Sequence, residues 1–326
     1  MLNAFNCQNG QPSRIVDVGH DDALRDAVWI DLVSPTDDEI ARVVRVTGIV
    51  PPTEADVSEI ETSSRLAMRE GILYLSMPLV TLADGPRSSA VGFVLARERL
   101  ITVRFATSRS FDAFAKHLPR GQTGADSGAY IFVALLEIIV DRQADGLEQV
   151  RIDLDAISHR IFGMGLQQEG GRKEEDAALR QILGALGRIG DLISHIRETG
   201  VGAARIVPYV EAMTRDWLPK DLRARLKTLR SDIASVSDFD THLNDKLQFL
   251  LDATLGFINI AQNNVMKVMT ITSVAGIPPV LVAGIYGMNF KAMPELEWQW
   301  GYAYALAMVL ITTIIPLAIF RWRKWI

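Results

Sequence analysis

Charged and apolar positions are unevenly distributed along this chain. Of its 34 basic and 39 acidic residues, three fall between Val268 and Phe320: Lys291, Glu295 and Glu297. Two charge-free runs result, Val268–Met288 with 21 residues and Trp298–Phe320 with 23. Each is long enough to cross a hydrocarbon core of ~30 Å as a helix. A pair of buried helices in a soluble protein is the competing reading, and the flanks argue against it. Trp298, Trp300, Tyr302 and Tyr304 crowd one end of the second run, and Trp322 and Trp325 flank the other, as in an interfacial aromatic belt. Pro278 and Pro279 fall inside the first run. Mid-span prolines are tolerated where neighbouring helices or hydroxyl groups satisfy the freed backbone. This span is therefore expected to pack among other helices rather than act as a lone anchor.

Upstream, the pattern changes twice. Residues 1–125 read as a mixed α/β domain. Ala27–Val33, Ile72–Leu82, Ala90–Leu95 and Leu100–Ala106 are strand candidates, with turns at Ala83–Pro86 and Arg97–Arg99. Ser34 followed by Pro35 predicts a helix cap with proline at the first helical position. Residues 126–219 read as helical: a long helix over Tyr130–Phe162, a polar break over Gly163–Glu175, and two more helical stretches up to Trp217. From Lys220 to Ile277 no proline occurs for 58 residues. Leu222, Leu226, Leu229, Ile233 and Val236, then Leu243, Leu247, Leu250 and Phe257, recur in steps of three and four, a heptad pattern interrupted at Asp240 and Thr254. One continuous helix here is about 85 Å long at ~1.5 Å per residue. A stalk over 220–267 is predicted to run unbroken into the first span, 268–288.

A second stripe lies on a different face of the same segment: Asp252, Gly256, Asn259, Asn263, Met266, Thr270, Ser273, Ile277 and Gly284. Polar groups entering a membrane are costly unless they face water or one another. Repeated in a symmetric oligomer, the stripe would line a narrow wet pore; packing through small residues is the alternative.

Charge sets the orientation. Arg321, Arg323 and Lys324 form a basic tail at 321–326 after the second span (298–320), and Lys267 precedes the first. Basic flanks prefer the cytoplasmic side. Both termini are then cytoplasmic, and the loop 289–297 is external. No secretory signal is visible in Met1–Gly10. The net charge of −5 argues against nucleic acid as a partner, and one cysteine, Cys7, excludes an intrachain disulfide.

The first span ends in Tyr286-Gly287-Met288-Asn289-Phe290, followed by Met293-Pro294-Glu295-Leu296. With Gly256-Phe-Ile-Asn-Ile260, Gln262-Asn263-Asn264, the Val28-Trp-Ile-Asp-Leu32 strand and the two-span layout, these residues make the chain resemble the CorA family of magnesium transporters from end to end. The resemblance implies an α/β cytoplasmic domain and a stalk helix running into the first of two membrane helices, five copies forming a funnel-shaped homopentamer in a bacterial inner membrane. It implies Mg2+ influx down the electrochemical gradient, with Co2+ and Ni2+ as secondary ions and no cofactor.

It further implies a selectivity filter of Gly287, Met288 and Asn289. Magnesium releases its water reluctantly, and a ring of Asn289 amide oxygens would hydrogen-bond the waters of a hydrated ion. A helix C-cap is the plainer role for that asparagine. Counting without gaps from the triplet, the family's pore line falls on Asn263, Met266, Ile277 and Gly284, with Asp252 as an acidic ring. Val280 stands where a relative has a pore threonine. Regulatory Mg2+ in the family binds between the N-terminal domain and a neighbouring stalk. The corresponding position here is Thr228, which is no ligand, so Asp232, Asp238 and Asp240 are the nearby candidates. A zinc transporter of the same superfamily is the first alternative, although that branch usually lacks the methionine of the triplet and the five histidines are scattered. A membrane-anchored enzyme or scaffold is the remote one; no phosphate-binding or nucleophile-elbow motif supports it.

Overall fold

The computed structural model describes residues 1–8, 11–15, 21–59, 61, 65–81, 87–117, 127–164, 172–288, 293–294 and 298–323. They fall into two compact units. The first joins Met1–Gly171 to Arg180–Leu251, and the second joins Arg172–Leu179 to Asp252–Ile326.

The first unit is built on a seven-stranded mixed sheet. Its strands are β1 (Leu2–Gln8), β2 (Gln11–Arg14), β3 (Trp29–Val33), β4 (Leu66–Arg69), β5 (Ile72–Thr81), β6 (Arg87–Leu95) and β7 (Leu100–Arg104), in the order β2-β1-β3-β7-β6-β5-β4. The β3–β7 pair is parallel and the other pairs are antiparallel. The four strand candidates appear as β3, β5, β6 and β7. The hydrogen bond from Ala96 N to Arg99 O, 3.0 Å, closes the Arg97–Arg99 turn. Ala83–Pro86 lies outside the described residues.

Alternation along β3 and β7 gives the sheet two buried faces. Ile30, Leu32, Ile101 and Val103 pack with Leu24 and Val43 from the short helices α1 (Asp21–Arg25) and α2 (Asp37–Thr47). Trp29 and Leu100 face the other way, onto α4 (Arg109–His117), α5 (Gly128–Met164), α6 (Arg172–Met213) and α7 (Lys220–Tyr286). A one-turn helix, α3 (Glu54–Ser58), sits against Gly92 of β6, where an added Cβ would lie 2.7 Å from Val57 Cγ1.

Helix α2 starts later than expected. Thr36, not Ser34, is its cap: its hydroxyl accepts from Glu39 N while the Glu39 carboxylate accepts from Thr36 N, a reciprocal capping box. Ser34 instead adopts a left-handed φ of 41° at the end of β3, so the chain turns there before the helix begins.

The two helical stretches after the polar break are one helix, α6, which passes through Pro208. A proline forfeits one backbone bond, and the buried neighbours Ile206, Val207 and Val210 hold the segment in place. α6 also serves β5. Thr199 Oγ1 accepts from Val80 N at 3.0 Å, beyond the residues that β4 pairs. Gly202 permits this approach, since a Cβ there would lie 2.7 Å from Met77 Cβ.

α7 is continuous for 67 residues, through Pro278 and Pro279. Its stripe Leu222, Leu226, Leu229 and Ile233, then Leu243, Leu247 and Leu250, is buried. The two interruptions occupy buried positions in the same stripe: Asp240 is 5% exposed and Thr254 0%.

In the second unit, α7 continues to Tyr286, and α8 spans Gly301–Trp322. Both carry apolar windows long enough to cross a membrane, and none of either window is buried within the chain. α8 starts three residues after Trp298, with Trp300 as its cap.

Candidate functional site

The second stripe of α7 is exposed at every position but Gly256, which is half-buried. Asp252, Asn263, Met266, Thr270, Ile277 and Gly284 all face outward, Met266 at 62% and Ile277 at 64% exposure. Between Asp252 and Gly284 the helix rises about 48 Å at ~1.5 Å per residue. Thr270 and Thr272 return their hydroxyls to Met266 O and Val268 O, at 2.8 and 2.9 Å, so they bring little unpaired polarity into the span. A Cβ added at Gly256, Gly276 or Gly284 would meet nothing within 4 Å. Packing within one chain does not require these glycines. A shallow groove of about 410 Å³ lies along Ile260, Asn263, Asn264, Met266, Lys267 and Thr270. Val280 is 71% exposed and offers no polar atom at that level.

The stripe leads to the end of α7. Gly287 N donates to Ala283 O at 2.9 Å and Met288 N to Ile285 O at 3.2 Å, closing the last turn through the backbone. A Cβ on Gly287 would sit 3.2 Å from Ala283 O, closer than side chains ordinarily approach. Met288 is half exposed. Asn289 and the loop residues 290–292 and 295–297 lie outside the described residues. At the start of α8 the Trp298 and Tyr304 rings meet at 5.9 Å, and Trp298, Trp300, Tyr302 and Tyr304 are all exposed.

The regulatory candidates separate in the first unit. Asp240 is buried, and its Oδ2 accepts from Arg197 Nε at 2.6 Å. That bond commits one of its two carboxylate oxygens to Arg197. Asp238 is exposed. Thr228 returns its hydroxyl to Ala224 O, 3.3 Å away. Asp232 is exposed and lies within electrostatic reach of an acidic face on α5. Lost hydration and the charges of Glu137, Asp145 and Asp232 hold the Asp141 carboxyl above the ordinary carboxylate range. Glu137 is itself paired with Arg225, Nε to Oε1 at 2.9 Å, and that guanidinium lies 4.6 Å from the Tyr130 ring centre. Asp141 was absent from the sequence candidates. The signal was Glu137, Asp141 and Asp145 at four-residue steps, which place three carboxylates on one helix face. Among the described residues, no three His, Cys, Asp or Glu side chains converge closely enough to hold a metal ion.

The family described as CorA-like Mg2+ transporter protein matches residues 25–323. The magnesium transport protein CorA of Sodalis glossinidius is 31% identical over 329 residues, and that of Haemophilus ducreyi is 34% identical over 333, each covering all of both chains. The fold is shared with the complete structure of the CorA magnesium transporter from Methanocaldococcus jannaschii: TM-score 0.73 at 19% identity, covering 100% of this chain and 99% of that one.

Proposed function

Since the chain belongs to the CorA-like Mg2+ transporter family, a family of ion transporters rather than enzymes, we propose that it carries magnesium across a membrane, inward down the electrochemical gradient, as a channel formed by several copies of itself. The observation that carries this reading is α7. One unbroken helix bears a buried apolar stripe in the first unit and an exposed stripe with small and polar positions in the second, and Gly287-Met288-Asn289 follows it in the sequence.

On this reading the copies number five, and Asp252, Asn263, Met266, Ile277 and Gly284 face a common axis. Met266 forms an apolar constriction that gates by dewetting, and the Asp252 ring draws cations inward. Asn289 receives the hydrated ion at the outer mouth. Co2+ and Ni2+ are secondary ions. The bilayer is the inner membrane, with both termini cytoplasmic. The test is magnesium influx into proteoliposomes, followed by an enclosed dye, with free magnesium kept low on the cytoplasmic face. Influx under an inward gradient and a negative interior is expected. A folded protein that passes zinc or protons but not magnesium would overturn the assignment.

Closure is assigned to magnesium binding on the stalk at Asp232, with Asp141 opposite and the remaining ligands supplied by a second copy, because the described residues of one chain bring too few together. Such an ion acts by favouring the state that binds it better. A carboxyl whose folded pKa is raised destabilises the fold as pH climbs above its ordinary value. Magnesium at this face should offset that loss. Asp141→Asn is expected to stabilise the protein in chelator, most visibly near neutral pH. It should also raise the magnesium concentration needed for closure by about fivefold or more, the scale of a modest coupling energy. Melting curves with and without magnesium, paired with flux assays, check this. An unchanged closure concentration would remove Asp141 from the site.

A further inference from the structure

Asp240 interrupts the apolar stripe of α7 and remains buried, and one partner accounts for half of its carboxylate. Arg197 takes Oδ2; Oδ1 is buried without a hydrogen-bond partner. On α5, Gln143 is 2% exposed and in a matching situation. Its Nε2 donates to Ile196 O at 2.9 Å, which fixes which end of the amide is nitrogen and leaves Oε1 buried without a partner. Both side chains line the same cavity of about 70 Å³ between α5, α6 and α7, together with Leu147, Ile233 and Val236, the Arg197 side chain and, at its exposed rim, Val201 and Ser237.

Two orphan acceptors facing one space require a species that donates in both directions. A divalent cation fits poorly. Arg197 already balances the Asp240 charge, and magnesium demands six oxygens in octahedral array where the lining side chains offer Asp240 Oδ1, Gln143 Oε1 and the Ser237 hydroxyl. A neutral donor fits. One water needs roughly 10–15 Å³ of such space, so the cavity has room for more than one.

We propose that this cavity is a binding site for ordered water, and that a Gln143–water–Asp240 bridge completes a polar latch holding α7 against α5 and α6 where its apolar stripe is broken. Gln143 pins α6 through Ile196, Arg197 reaches from α6 to Asp240, and the water joins α5 to α7. The interruption in the heptad is then a registry device: a leucine at 240 would pack in more than one sliding position, whereas the latch closes in one.

The test is radiolytic labelling of the full-length protein in detergent. The protein is mixed rapidly into H2 18O, exposed to a short X-ray pulse, and its hydroxylated side chains are read by mass spectrometry. Leu147 and Ile233, 0% and 5% exposed, should be labelled despite their burial, and should carry 16O at delays where exposed side chains already carry 18O. In Ala204→Leu, which adds apolar volume at the cavity wall, labelling of Leu147 should fall to background. Gly200→Ala, whose Cβ would meet Gln143 Nε2 at an ordinary 3.6 Å, is the milder filling variant if the first folds poorly. Absence of label at both residues in the native protein, or immediate 18O incorporation, overturns the proposal. So does loss of the slow 16O signal on chelation of divalent ions, which would make the occupant a hydrated cation.

Discussion

Replacing Asn289 with alanine should abolish magnesium flux while leaving a folded, assembled protein. A ring of amide oxygens can accept hydrogen bonds from the waters of a hydrated ion without stripping them, which suits an ion that dehydrates reluctantly. In a homo-oligomer the substitution removes one acceptor from every copy. With five copies and ~1 kcal/mol net per hydrogen bond, the loss approaches ~5 kcal/mol, more than three orders of magnitude in occupancy of the filter at 1.4 kcal/mol per factor of ten. Asn289→Asp separates recognition from passage: a carboxylate ring should bind magnesium more tightly and still pass it poorly, because the ion leaves slowly. The plainer role, a cap on α7, predicts a different result. The last turn is already closed by Gly287 N to Ala283 O and Met288 N to Ile285 O, so loss of a cap would lower the melting temperature slightly and spare the flux. Dye-reported influx and melting curves on the same preparations distinguish the two. Retained influx in a folded Asn289→Ala protein would sink the filter assignment.

The features that could be read from the sequence are those with a local period. The strands β3, β5, β6 and β7 announce themselves by branched apolar runs between turns. α7 announces itself by fifty-eight residues without proline and a stripe in steps of three and four. The second stripe, proposed above as the pore line, stands out because membrane burial makes every polar position on a charge-free run conspicuous. What could not be read depends on which elements meet. Asp240 looked like a break in a heptad and a spare carboxylate; its partner Arg197 is forty-three residues away on another helix. Glu137, Asp141 and Asp145 were visible as a ladder, but their meaning depends on Asp232 arriving opposite on α7. The Ser34-Pro35 pair shows the remaining kind of error, and Pro208 inside α6 shows its physical origin. Proline is a local stop signal, and packing of Ile206, Val207 and Val210 overrides it, while the real cap of α2 was set by the Thr36–Glu39 reciprocity one residue beyond the proline.

The second large effect is on stability, at a pair hidden in the sheet. Asp31 and Arg104 lie on the parallel neighbours β3 and β7, with side chains 4% and 6% exposed. Asp31 accepts from Arg104 Nη2 at 2.9 Å and from Thr102 Oγ1 at 2.8 Å, and Thr102 Oγ1 in turn accepts from Trp29 Nε1 at 3.0 Å. Asp31→Ala strands a buried guanidinium. Titration gives no relief. In the native protein burial pulls the Arg104 pKa down, but the bonds and charges of Asp31 and Asp112 outweigh it and hold it above the ordinary arginine value; without Asp31 a guanidinium still keeps its proton throughout the working range. A cation with a raised folded pKa contributes its stability at every pH below that range, so the loss should be flat across the working range. Breaking one side of a buried pair costs ~3–5 kcal/mol, a large share of the ~5–15 kcal/mol that holds a domain together. Asp112, half exposed and 3.0 Å from Arg104 Nη2, keeps one contact and places the cost toward the lower end. The melting temperature of the first unit in the full-length protein should fall by about 6–12 °C, at the ~2–4 °C per kcal/mol typical of larger domains. Asp31→Leu combined with Arg104→Leu should recover much of that loss, since apolar groups of similar size often replace a buried pair without penalty. If the double variant is as unstable as Asp31→Ala, the stabilisation resides in the Thr102–Trp29 hydrogen-bond chain rather than in the ion pair.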